Sequence, residues 1–285
     1  PINLSVSDDA LVNMLIDARA VALVVTSDQF ERLVSLKDRL PPSLSVCVTT
    51  SVDVVPGWTA WDDYVRNASD TAPNLPREDD AILNVIYSSG TTGVPKGIVH
   101  THRGRRDWAY DLAIALRYHG AAKSLFTIGL YSNISWVSML ATLLAGGTLV
   151  VHEKFDEAVF LDTVERERIT HTAMVPIQFQ RVADLQLTSP RDVTSMTAMM
   201  SAGSPLREPL KRRIFQAFPC GIIELYGLTE GIITTLDPED AEGRWSSVGR
   251  PLIGTDIAII DDEDQFVSAG VSGEIVSRGR ITMPG

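Results

Sequence analysis

Cysteine is almost missing from this sequence: Cys47 and Cys220 are the only two in 285 residues, far apart and in no metal-type spacing. A disulfide framework is therefore not expected, and reduced thiols in a cytoplasmic protein are. Positive charge is also short. Acidic residues outnumber basic ones 36 to 25, for a formal charge of −11, so the overall field repels phosphate backbones and argues against nucleic acid as a partner. Any anion has to be caught locally. A long apolar run is missing as well. The nearest candidate, ISWVSMLATLLAGGTLVV from Ile134 to Val151, is broken by Gly146-Gly147 and carries serines and threonines, so it reads as a buried helix followed by a strand and no integral membrane segment is expected. Repeats, heptads and low-complexity tracts are absent too, and no basic and apolar signal-peptide pattern opens the chain.

What is present is a large supply of core-forming residues, 45% of the chain, in an alternating grammar. DDALVNMLIDARA has apolar residues at helical spacing, and ALVVT after it is a short β-branched run. QFERLVSLKDRL then SVCVTT repeat the order. From Asp53 to Asp80 the pattern dissolves into prolines, aromatics and charges, which reads as a surface connection. AILNVIYSS is a strand that enters the run SSGTTGVPKG, and THRGRRDWAYDLAIALRYHG reads as the helix after it. The alternation resumes with SLFTIG, the helix from Ile134, GTLVVH, FLDTVERERI and HTAMVP. Beyond Arg244 it gives way to the short strands SVGRPL, DIAIID and GEIVSRG. The pattern predicts an α/β protein: two doubly wound β/α subdomains of mostly parallel sheet (residues 1–122 and 123–243) and part of a small antiparallel β-barrel (244–285).

The run from Ser88 to Gly93 offers no apolar face and competes with regular backbone hydrogen bonding, so it must be a loop. Glycines let backbone amides converge on an anion, the hydroxyls add donors, and Lys96 supplies a mobile positive charge; these are the needs of a triphosphate. The usual phosphate-loop spacing is not met, because Gly93 lies three residues before Lys96 and Gly97 follows it.

The full string YSSGTTGVPKGIVHTH resembles the phosphate-loop signature of the adenylate-forming superfamily, which includes acyl- and aryl-CoA synthetases, peptide-synthetase adenylation domains and luciferases. SAGSPL at 201–206, ELYGLTEG at 224–231, SVGRPLIGTDIAIID at 247–261 and GEIVSRG at 273–279 extend the resemblance in order over the whole chain. The resemblance implies a nucleotide site made of Ser88, Ser89, Gly90, Thr91, Thr92, Gly93 and Lys96, with Ala202, Gly203 and Ser204 on one side of the adenine and Tyr226 and Gly227 on the other. Thr229 would touch phosphate and Glu230 would hold Mg²⁺, so that Lys96, Thr91 and Glu230 carry the catalytic work. It further implies ATP (leaving AMP), Mg²⁺ and coenzyme A as cofactors and a carboxylic acid, fatty or related, as substrate. The acid pocket would be bordered by Tyr131, Ser132 and Trp136. Many relatives have histidine near position 131 or 132, and amino-acid adenylating ones an aspartate; Ser132 favours an acid with no amino group. Trp136 is either a gate of the acyl tunnel or plain core packing.

Histidines are not expected to hold metal. The Arg103–Arg106 run reads as a solvated helix start, with phosphates of ATP or coenzyme A as the alternative partner. Both chain ends look cut, before the C-terminal lid domain in particular, so the expectation is a weak or inactive internal fragment of an acid–thiol ligase. An adenylation domain loading a carrier protein, or a non-catalytic nucleotide-binding module, stand as alternatives, and a homodimer is left open.

Overall fold

The computed structural model describes residues 1–3, 5–88 and 95–284, so Ser89, Gly90, Thr91, Thr92 and Gly93 of the expected phosphate loop lie outside the described residues. The chain divides into two compact units. One comprises residues 2–78 and 87–98, the other residue 1, 79–86 and 99–285.

The first unit opens with α1 (Asp8–Asp17), whose first turn is capped by the Ser7 hydroxyl accepting from the Ala10 amide at 3.2 Å. Then come β1 (Ala22–Val25), α2 (Ser27–Ser35), β2 (Val46–Thr49), β3 (Thr59–Ala60) and α3 (Trp61–Val65). The three strands form a parallel sheet in the order β1, β2, β3. Leu11, Val12 and Leu15 of α1 pack with Leu33 and Leu36 and with Val25 of β1, each such side chain contributing about 1.5–3 kcal/mol on burial.

Strands β4 (Ile82–Ser88) and β5 (Lys96–Thr101) form a two-stranded sheet. This departs from the sequence reading, which runs directly from the loop into a helix. In fact β5 intervenes, and Lys96 is its first residue. The physical signal is Ile98 and His100, two residues apart and both buried, the period of a strand; the glycines and proline before them mask it.

The second unit continues with α4 (His102–Ala115), β6 (Lys123–Phe126), α5 (Asn133–Leu144), β7 (Thr148–Val151), α6 (Glu157–Glu167), β8 (His171–Met174), α7 (Pro176–Thr188), β9 (Ala198–Ser201), α8 (Glu208–Ala217), β10 (Ile223–Gly227), β11 (Ile233–Leu236), β12 (Arg250–Pro251), β13 (Thr255–Ile260) and β14 (Glu274–Gly279). Seven strands make one sheet in the order β12, β11, β10, β9, β8, β6, β7. The run from β10 to β7 is parallel; β11 and β12 join antiparallel at the edge. One buried cluster holds Phe160, Leu161 and Val164 of α6 with Phe179 and Val182 of α7 and Ile214 of α8. Another holds Trp108, Ala109 and Leu112 of α4 with Val137 of α5 and Ala173, Met200 and Ile223 of the sheet. The sheet is thus fed by crossover helices, as a mixed α/β fold requires. β13 and β14 pair antiparallel, as expected for DIAIID and GEIVSRG, but SVGRPL does not join them: β12 extends the large sheet. Among the described residues, no helix is long and apolar enough to cross a membrane.

Candidate functional site

Parallel strands end together, and the loops at their carboxyl ends form the crevice where α/β sheets bind ligands. Here β9 ends at Ser201 and β10 at Gly227. A cavity of about 540 Å³ opens at these ends, lined by Gly203, Ser204, Tyr226 and Gly227 together with Lys211, Glu224 and Trp245. Four of the five residues expected around an adenine therefore share one cavity. The fifth, Ala202, is buried and packs into the core beneath. Gly203 has φ +89°, and a Cβ there would stand 2.9 Å from Ile134 Cδ1 and 3.4 Å from Val175 Cγ1. Only glycine lets the chain turn there without strain.

Thr229 and Glu230 lie in the turn between β10 and β11. Gly231, with φ +114°, lets the chain at Ile281 approach so closely that a Cβ would stand 2.5 Å from the Ile281 carbonyl oxygen. The Met283 amide then donates to the Glu230 carbonyl at 2.9 Å. The Glu230 carboxylate itself is half-buried and has no hydrogen bond or ion pair among the described residues. A single unengaged carboxylate fits Mg²⁺, which takes one or two protein carboxylates and draws its remaining ligands from phosphate and water. Ser88 closes β4 half-buried, and Lys96 is exposed at the start of β5.

The wall of the cavity contains a feature that the sequence reading missed. Lys211 of α8 and Glu224 of β10 form a buried ion pair, with side-chain exposures of 3% and 9%. The Lys211 ammonium also donates to the Trp245 carbonyl at 2.6 Å, and Glu224 Oε1 accepts from the Leu206 amide at 3.2 Å. One charge pair thus ties together α8, β10, the segment after β9 and the segment before β12. Lys211 sits three residues before Ile214 and six before Ala217, on the buried stripe of α8, where a lysine at an inward position is the available signal.

At the expected acid pocket, the Ser132 hydroxyl caps α5, accepting from the Ile134 amide at 3.3 Å. Tyr131 is exposed. Trp136 is half-buried and held at both ends: its indole N–H donates to the Leu130 carbonyl at 2.8 Å, and its ring lies 5.5 Å from the Arg105 guanidinium carbon. The arginine run does not behave as one solvated patch. Arg103 pairs with Asp79 and Asp80 and Arg106 with Asp79 and Asp107, whereas Arg105 is 1% exposed. Its spacing to Trp108, Ala109 and Leu112 (three, four and seven residues) puts it on the apolar stripe of α4, a signal that was available.

The family model described as AMP-binding enzyme matches residues 1–285. The chain is 28% identical over 258 residues to the indoleacetate–CoA ligase of Aromatoleum aromaticum, covering 88% of this chain and 50% of that protein. It is 30% identical over 222 residues to the feruloyl-CoA synthase of an Amycolatopsis species, covering 76% and 45%. Among solved structures, the anthranilate CoA ligase AuaEII in complex with anthranoyl-AMP aligns with a TM-score of 0.89 at 24% identity, over 99% of this chain and 55% of that one. The last likeness is one of fold. The chain spans about half the length of the curated relatives it matches.

Proposed function

Because this chain belongs to the AMP-binding enzyme family, we propose that the protein carrying it activates a carboxylic acid with ATP and passes the acyl group to the thiol of coenzyme A. A carboxylate oxygen attacks the α-phosphorus, pyrophosphate leaves, and an acyl-adenylate forms. The thiol then attacks the acyl carbonyl, loses its proton, and AMP leaves. Little covalent chemistry falls to the protein: it has to hold two anions in line and offset the charge they bring together.

The observation that supports this reading best is the cavity that collects Gly203, Ser204, Tyr226 and Gly227. A planar base wants an aromatic or peptide face, and these residues supply both. Mg²⁺, held by Glu230 and by phosphate oxygens, would offset negative charge on the phosphates. Lys96 and the hydroxyls of Ser88, Ser89, Thr91 and Thr92, with the amides of Gly90 and Gly93, are assigned to the phosphates, and Thr229 likewise. Tyr131, Ser132 and Trp136 are assigned to the border of the acid pocket. The acid is fatty or a related carboxylic acid; the relatives named for indoleacetate and ferulate add acids with an aromatic ring.

Pyrophosphate release by the protein that carries this chain, measured across a panel of carboxylates, tests the reading. Tyr226→Ala and Glu230→Gln should each lower kcat/KM by about 10²-fold, a loss on the scale of one electrostatic or positioning contact. Release without coenzyme A transfer would point to a carrier-protein thiol as acceptor. ATP binding with no release on any acid would overturn the ligase reading in favour of a binding module.

A further inference from the structure

Among the described residues, Arg105 is the one arginine of its run that has no acid. Its Nε donates to Asn84 Oδ1 at 3.1 Å and its Nη1 to Asn133 Oδ1 at 2.8 Å, and its guanidinium carbon lies 4.6 Å from the Trp108 ring. Its Nη2 is buried with no acceptor among the described residues. So are Asn84 Nδ2 and His100 Nε2. Burial lowers the Arg105 guanidinium to about 9, so it stays charged at neutral pH. The His100 imidazole is pushed down to about 4 by burial first and by the Arg105 charge second, so it is neutral there. Each orphaned polar group disfavours the folded state, and a buried cation without a counter-charge does so more strongly. Aromatic rings offset part of that but are weaker acceptors of an N–H than an oxygen is.

The orphans define what is missing. Arg105 Nη2 and Asn84 Nδ2 can only donate, so the absent partner is an acceptor, and the uncompensated charge asks for an anionic one. A carboxylate, with two oxygens able to take two donors at once, satisfies both demands. The place is also defined. Asn133, which takes Arg105 Nη1, is the first residue of the 12-residue helix α5, and its neighbour Ile134 abuts Gly203 in the wall of the nucleotide cavity. Asn84, Asn133 and Trp136 are all only partly buried, so the two buried donors lie close beneath the surface.

We propose that Arg105 Nη2 and Asn84 Nδ2 form a two-donor carboxylate site in the acid pocket, and that the acid activated here carries a second carboxylate held by that site. The inference rests on the acid-activating reading above. The reacting carboxylate is not the group held, because a carboxylate with both oxygens engaged by a guanidinium and an amide has lost the electron density and the freedom that attack on phosphorus needs.

Equilibrium binding to the protein that carries this chain decides it, read by calorimetry and by tryptophan fluorescence, since Trp108 and Trp136 flank the site. Matched pairs, hexanoate with adipate and benzoate with terephthalate, isolate the second carboxylate; inorganic phosphate and chloride report simple anion uptake. The dicarboxylates should bind at least about tenfold more tightly, the scale of one charge-assisted contact. Arg105→Gln should erase the preference and Arg105→Lys should keep part of it. Equal binding within each pair, or a preference that survives Arg105→Gln, overturns the proposal. If Arg105→Gln does not fold, Asn84→Leu takes its place, because it removes one donor and leaves the cation. ATP binding is measured on the same samples. ATP bound without any dicarboxylate preference sinks this inference alone, whereas a dicarboxylate preference without ATP binding sinks the adenylation reading and leaves the carboxylate site standing.

Discussion

Two cations are buried in the same unit at nearly equal depth, and they are handled in opposite ways. Lys211, 2% exposed, meets Glu224 and the Trp245 carbonyl. Arg105, 1% exposed, meets two amide oxygens and two indole rings and finds no counter-charge among the described residues. The first arrangement is closed: the charges cancel, and the pair joins segments of chain around the cavity. The second is open, with an unfilled hydrogen-bonding position. A structure that only had to be stable would use the first solution at both places, or an apolar side chain. The difference therefore locates a place where stability has been set against binding.

Breaking the closed pair should have the largest effect. Glu224→Ala leaves a buried ammonium unpaired and should cost about 3–5 kcal/mol of unfolding free energy in urea titrations. The double change Lys211→Met with Glu224→Leu should return most of that loss, since no charge is then left buried. If the single and double variants are equally unstable, the pair is not what holds this wall. An intermediate case is Arg280, half-exposed, which pairs with the fully buried Asp111. Arg280→Ala should cost about 1–3 kcal/mol by leaving that carboxylate without a partner.

Arg105→Met sharpens the comparison from the other side. It removes two hydrogen bonds together with a desolvated charge, so stability should stay within about 1 kcal/mol of the parent. A loss as large as that of Glu224→Ala would mean Arg105 is a structural cation after all. The same variant should move the His100 titration, followed by NMR, upward from about 4, because the neighbouring positive charge is the second cause of its depression. Burial, the first cause, should keep it below 6.5. The sign for stability follows: with His100 and His171 both held near 4 by burial first, the unfolded chain gains protons between pH 6.5 and 4 that the folded chain refuses. Stability is therefore lost as pH falls through that window, and Arg105→Met should reduce the His100 share of the loss. The smallest effect is expected at Arg278–Asp256, exposed by 87% and 75%, where Asp256→Asn should change stability by less than about 0.5 kcal/mol.

Much of this was legible in one dimension. Apolar spacing placed α1, α2, α5 and α6, and short β-branched runs placed β1, β2, β6 and β8, because local periodicity is set by which face a segment must bury. The segments around Gly203 and Tyr226 could be named from their motifs, although they are more than twenty residues apart. β5 was missed because breaker residues lie against a strand only six residues long. β12 was misassigned because two residues carry no period, and its partner was settled by which edge stood free.

By itself, then, the sequence determined the α/β class, the alternation of elements and the motif-bearing segments, all of which depend on neighbours along the chain. The tertiary structure alone decided that Gly203 and Tyr226 share a cavity, that Lys211 finds Glu224, and that Arg105 finds no acid among the described residues. The physical reason is that the environment of a charge is fixed by side chains arriving from distant segments. Burial and pairing are properties of the packed interior, to which no single stretch of the chain has access.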